Sequence, residues 1–133
     1  MKETLYTMKE TCLMANLTYD TLKFYCNKNL IPNVKRDKNN YRMFDQKDLE
    51  WIKTISCLKK CGMSIKEIKE YLTLCLEGQN SIPERKKLLN LKLKDLEAKQ
   101  KEIQESINYI NWKQNFYDDV LSGKTKYYSN LIN

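Results

Sequence analysis

Residues 83–121 contain no glycine, and no proline after Pro83 itself. Nothing else in the chain restricts its fold as much. Read as one helix, these residues reach about 58 Å at a rise of 1.5 Å per residue. A rod that long cannot fold back on a small domain, so its apolar face needs a partner. That face is periodic. Ile82, Leu89, Leu96, Ile103, Ile110 and Tyr117 recur every seven residues, and Lys86, Leu93, Gln100, Ile107, Gln114 and Leu121 form the alternating series. Together they make an a/d seam with spacings of three and four. Three alternating positions are polar, which weakens the seam and helps to fix its register and orientation. Each fully buried Leu or Ile contributes roughly 1.5–3 kcal/mol. The expectation is a homodimer held through Leu89, Leu93, Leu96, Ile103, Ile107, Ile110 and Tyr117. Pro83 suits a first helical turn, where its missing N–H costs nothing. Ser81 and Glu84 read as a capping box just before it. A second apolar row, Tyr109, Trp112, Phe116 and Val120, flanks the seam. It reads either as packing against the tail or partner, or as a small-molecule pocket.

What precedes the rod has a different grammar. Thr7 and Glu10 form a Thr-x-x-Glu capping box, a strong local helix start. Met8, Cys12 and Ala15 would face inward. Residues 16–17 make a turn, and Thr18 is placed to cap a second short helix. Two short helices across such a turn are a helix-turn-helix. In the second helix Leu22, Tyr25 and Asn29 share an inward face, while Tyr19, Lys23 and Asn27 share an outward one. A phenol, an ammonium and an amide on an outward stripe suit phosphates and base edges. Asn29 is placed to end this helix in the left-handed conformation, and Pro32 forbids its continuation.

Residues 33–44 have no helical period. A turn cluster at residues 37–40 lies between Val34 and the Tyr41/Met43 pair, which reads as a two-stranded wing. Asn39 and Asn40 can take positive φ there. Residues 28–42 hold five positive charges against one negative, which places Arg36, Lys38, Tyr41 and Arg42 as phosphate contacts. Asp45 then caps a helix that carries Leu49, Ile52, Ile55 and Leu58 to a stop at Gly62. Ser64 and Glu67 form another box, opening a helix with Ile65, Ile68, Leu72 and Leu76 inward. The domain limits are therefore 1–77 for a DNA-binding unit, 78–82 for a linker, 83–121 for the dimerisation helix and 122–133 for a tail with one last packed turn.

Charge follows the same division. Residues 1–75 carry 14 Lys+Arg against 9 Asp+Glu, and residues 76–133 carry 10 against 8, which together make the 24 and 17 of the whole chain. The excess lies mostly in the first part and favours polyanions there. No apolar run reaches the roughly 18 residues of a membrane span, and no signal peptide is visible. Five cysteines, an odd number without framework spacing, predict free thiols in a reducing cytoplasm.

The motifs resemble, in order and spacing, those of the MerR family of bacterial transcriptional regulators. They are TMKE at 7–10, TLKFY at 21–25, NLIP at 29–32, NYRMF at 40–44, DL at 48–49 and GMSIKE at 62–67. The resemblance is tight from Leu5 to about Leu76 and holds in kind for the long helix. It implies a mainly α fold: an N-terminal winged helix-turn-helix with a small β wing, then a long C-terminal helix in an antiparallel dimeric coiled coil. It implies double-stranded promoter DNA as partner, with RNA polymerase reached through a promoter that an effector-driven twist compresses. By position it carries over Thr7, Tyr19, Lys23 and Tyr25 from the helix pair, and Tyr41 and Arg42 from the wing, as DNA contacts; Thr18, at the start of the second helix, is counted with them. Lys23 stands where the family usually has Arg, which replaces a bidentate fork by a point charge. Asn29 and Asn40 stand where Gly is usual.

The segments at 48–58 and 77–85 look most like the branch of that family that answers aldehydes and nitrosative stress. Cys57 falls at that branch's sensing cysteine, with Lys53 and Lys60 one turn away to favour its thiolate. Three other readings stand beside this one. Cys57 and Cys61, at i and i+4, can share a soft metal, but a closed site lacks further ligands. A small molecule is another possible effector. The third is a coiled-coil interaction module with incidental charge. No cofactor or metal is expected. Nor is an enzyme, since the chain has no His, no phosphate-cradling glycine loop and no nucleophile–base pair.

Overall fold

The computed structural model describes residues 3–132. The element order is β1 (Tyr6–Thr7), α1 (Met8–Ala15), α2 (Tyr19–Asn27), β2 (Lys35–Arg36), β3 (Arg42–Phe44), α3 (Gln46–Lys60), α4 (Ile65–Leu76), a 3₁₀ turn (Gly78–Ser81) and α5 (Ile82–Leu121). The chain divides into two compact units, residues 1–92 and 93–133. The fold is mainly helical, as the sequence predicts, with a winged helix-turn-helix at the front and one long helix behind it.

Each short helix starts where its cap dictates. Glu10 N–H donates to Thr7 Oγ1 at 3.1 Å, and Thr7 N–H donates to Glu10 Oε1 at 3.0 Å. Thr21 N–H donates to Thr18 Oγ1 at 3.1 Å. Asp45 and Asp48 form a reciprocal box at α3, and Ser64 with Glu67 does the same at α4. Left-handed residues provide the exits: Asn16 (φ 56°) after α1, Asn29 (φ 58°) after α2 and Asn40 (φ 65°) in the wing turn. Asn tolerates this region better than most residues, because its short amide bonds locally. Asn39, the other residue offered for positive φ, does not take it.

The wing has one strand more than the sequence predicts. The sheet order is β1-β3-β2, all antiparallel, with Thr7 opposite Met43 and Lys35 opposite Met43 on the other side. Thr7 thus pairs in the sheet and caps α1 at once. The core lies among α1, α2, β3, α3 and α4. Leu22, Leu30, Phe44, Ile52, Ile55 and Ile68 are each 0% exposed. Trp51 closes one side, donating from Nε1 to the Leu30 carbonyl at 2.7 Å and stacking on Tyr71 at 6.5 Å. Leu76, expected inward, is exposed, because the helical register carries it past the face that Ile68 and Leu72 share.

The entry to α5 also differs from expectation. Ser81 does not cap it. The 3₁₀ turn delivers Ile82 already helical (φ −53°, ψ −44°). Ser81 is buried, and its hydroxyl turns back to the carbonyls of Leu74 and Gly78. Arg85 reaches the same knot, with Nε to Ser81 Oγ at 3.0 Å, Nη2 to the Gly78 carbonyl at 2.5 Å and Nη1 to Cys75 Sγ at 3.9 Å. Lys92 Nζ pairs with Glu67 at 2.9 Å. The first turns of α5 are therefore fastened to α4, and most of the stretch read as a linker, 78–82, is the 3₁₀ turn between them. No described helix is long and apolar enough to cross a membrane.

Candidate nucleic-acid interface

A cleft of about 510 Å³ opens between the start of α1, the start of α2 and the wing. Thr7, Tyr19, Arg36, Tyr41 and Arg42 all line it, with Lys9 beside them. Five residues chosen from three separate sequence motifs thus share one surface. Tyr19 and Tyr41 are well exposed, at 55% and 69%. Their phenols and the two guanidiniums form a mixed aromatic and cationic face, the chemistry that holds phosphate and sugar.

The wing is held in place by its own hydrogen bonds. Asp37 Oδ1 accepts from Asn39 N–H at 2.8 Å and from Tyr41 N–H at 2.9 Å. Arg36 Nη1 donates to the Asn40 carbonyl at 3.0 Å. One contact joins wing to helix: Arg42 Nη2 donates to Asn27 Oδ1 at 3.0 Å. It fixes the spacing between the two elements that would straddle a backbone, which no local sequence pattern announces.

The remaining predicted contacts take different places. Lys23 and Lys38 are exposed but do not line the cleft. Lys23 stands on the outward stripe of α2. Thr18 is exposed, yet its hydroxyl is engaged in capping α2 and donates to Thr21 Oγ1 at 2.8 Å. Tyr25 is a core residue, 2% exposed. It shares the Leu22 face by the i, i+3 rule, so it supports the helix from below.

Not every basic residue in the wing is available. Lys35 Nζ bonds Asp45 at 2.8 Å and Asp48 at 2.9 Å. Burial works against the Lys35 charge, but hydrogen bonds to the two carboxylates outweigh it and raise its pKa. In return the Lys35 hydrogen bond holds Asp45 down at about 2. This cluster anchors the wing to the α3 N-terminus. Sequence reasoning missed Phe24, whose half-exposed ring carries Lys28 Nζ at 5.8 Å and Lys59 Nζ at 5.9 Å. The signal was present in the i, i+4 spacing of Phe24 and Lys28.

The cysteines separate by environment. All five are free. Burial pushes the Cys12 and Cys26 thiols up, which favours inert filler. Cys57 alone is exposed, on the solvent face of α3.

Comparison with known proteins agrees with this geometry. The family profile described as MerR HTH family regulatory protein matches residues 6–75, and one described as MerR, DNA binding, matches residues 49–112. An uncharacterised HTH-type transcriptional regulator of Haemophilus influenzae is 33% identical over 112 residues, covering 84% of this chain and 83% of that one. The HTH-type transcriptional regulator AdhR of Bacillus subtilis is 41% identical over 73 residues, 55% of this chain and 52% of AdhR. The crystal structure of HiNmlR, a MerR family regulator lacking the sensor domain, bound to promoter DNA, superposes with a TM-score of 0.73. Its identity is 31%, over 90% of this chain and 94% of that one.

Proposed function

Because the chain belongs to the MerR family of helix-turn-helix regulatory proteins, which are transcription regulators and not enzymes, we propose that it binds promoter DNA as a homodimer and distorts it when an effector arrives. The observation that carries this reading is the shared cleft of Thr7, Tyr19, Arg36, Tyr41 and Arg42. Thr7, Tyr19 and Tyr41 would position the phosphate backbone, Arg36 and Arg42 neutralise it, and Lys23 reach into the groove. Lys38 and the Thr18 backbone flank this set, and Tyr25 supports it. The seam on α5 supports the dimer. Leu89, Leu93, Leu96, Ile103, Ile107, Ile110 and Tyr117 are 37–60% exposed in the single chain, an apolar row that water alone does not favour. Two copies would set two reading heads on one duplex, in the cytoplasm, and act on RNA polymerase through promoter shape.

For the effector, Cys57 is the candidate. What supports it is exposure: Cys57 is the one exposed thiol among the described residues. An aldehyde would add at Cys57. The thiolate forms an S–C bond, the carbonyl π bond breaks, and its oxygen takes a proton from water. Lys53 and Lys60 flank the thiol in sequence, at i−4 and i+3. Fluorescence anisotropy on a duplex selected from random sequence tests both parts. Wild-type binding should weaken steeply with salt, as counterion release requires. Cys57→Ser should bind that duplex like wild type and lose the response to methylglyoxal. A variant that still responds removes Cys57 as the sensor, and a flat salt dependence removes the DNA reading.

A further inference from the structure

The last turns of α5 and the tail enclose a second cleft of about 530 Å³, within unit 93–133. Its volume lies in the range of small-molecule sites. The chain turns back at Gly123, whose φ of 83° suits glycine. Lys124 N–H donates to the Asp119 carbonyl at 2.8 Å and Gly123 N–H to the Val120 carbonyl at 3.1 Å, closing the helix end. The returning tail lays Tyr128 on Phe116, with centroids 5.1 Å apart. Trp112 continues the row, 6.4 Å from Phe116 and inclined by 28°. These rings are not sealed by one another. Trp112 stays 53% exposed and Tyr128 65%. The final apolar residues do not cover them either, since Leu131 is 93% exposed.

Two features say what would fill the gap. Trp112 and Phe116 lie beside the heptad seam, outside both of its series, so zipping two rods does not by itself cover them. Lys113 Nζ stands 5.4 Å from the Trp112 centroid and 5.8 Å from that of Tyr117. It is the one charged side chain among the described residues that line the cleft. Flat ring faces beside a single ammonium match a flat ring that bears a negative charge. A cation would meet the ammonium and be repelled.

We propose that this cleft binds a planar aromatic carboxylate, stacked on Trp112 and Phe116 with its carboxylate on Lys113. The proposal rests on the regulatory reading and adds a second ligand to the thiol-reactive one given to Cys57, and its test uses no DNA. Isothermal titration calorimetry on the full chain compares 2-naphthoate, its neutral amide and N-methylquinolinium. Naphthoate should bind at sub-millimolar concentration, at least tenfold more tightly than the amide, with the cation weakest. Lys113→Gln, with unchanged helical circular dichroism, should bring naphthoate down to the amide's level. Tyr128→Ala should weaken both. Equal binding of acid and amide, tighter binding of the cation, or no heat at millimolar naphthoate overturns the proposal. If wild type binds none of the three and Trp112→Ala turns a dimer into monomer, the cleft belongs to a second copy and the proposal also fails.

Discussion

The reading head and the rod use one apolar grammar with opposite results. In α3, Leu49, Ile52, Ile55 and Leu58 recur every three residues and are all buried. In α5 an apolar row spaced by threes and fours runs from Leu89 to Tyr117, and no residue of the helix is buried. The difference is what lies opposite. The head supplies its own cover from α1, α2, β3 and α4. The rod's seam gets little from its own chain: α4 holds only the first turns, and rings gather at the far end. Periodicity thus defines a face without saying whether its complement is in the same chain. A face left open over so many turns is an unfinished structure, and under the proposed reading a second copy would finish it.

That contrast can be broken at its strongest point first. Phe44→Ala in the head should cost about 3–5 kcal/mol, read as a lower denaturant midpoint for the single chain. Leu96→Ala should leave that midpoint almost in place. Equal losses would erase the distinction. Next, Ile103→Glu with Ile107→Glu should weaken self-association by at least about 100-fold, since each buried Ile contributes roughly 1.5–3 kcal/mol. The head's unfolding should stay the same. A dimer that survives this pair does not use the seam. Within the head, Arg42→Ala and Lys23→Ala should each lower duplex affinity by about 1–3 kcal/mol, and each should reduce the salt slope by about one if it meets a phosphate. Unchanged affinity for either removes that residue from the interface.

The smallest expected effect is on pH. Asp45 sits at about 2 in the folded chain against an ordinary 3.8, because Lys35 bonds it. Its folded pKa is depressed, so the stability it contributes is present above about pH 4 and drains away as pH falls to about 2. The contribution is at most about 2 kcal/mol. Asp45→Asn should flatten acid unfolding in that window. An unaltered acid limb would show that the Lys35 cluster does not pin the wing.

Local signals were legible in the sequence, and distant ones were not. The caps at Thr7, Thr18, Asp45 and Ser64 each need only a neighbour three residues on. The left-handed Asn29 and Asn40 follow from their place after a helix and in a turn. By contrast, β1 exists because Thr7 meets Met43, and the bond of Arg42 to Asn27 spans fifteen positions. Lys35 counts as one of the five positive charges of residues 28–42, and only the fold brings Asp45 and Asp48 beside it. Ser81 carried a box signature, but the 3₁₀ turn before it had already begun the helix. In the tail the expected packed turn is only a contact of Tyr128 with Phe116, and Tyr127, Tyr128, Leu131 and Ile132 all stay exposed. Tertiary placement decides each of these cases, and one-dimensional spacing does not encode it.

Sedimentation equilibrium at micromolar concentration, alone and with a labelled duplex, tests the central claim most directly. The account predicts a free species of twice the 15.9 kDa chain mass and two chains on each duplex. A lone chain in solution that also binds DNA singly, with α5 still helical, would contradict it.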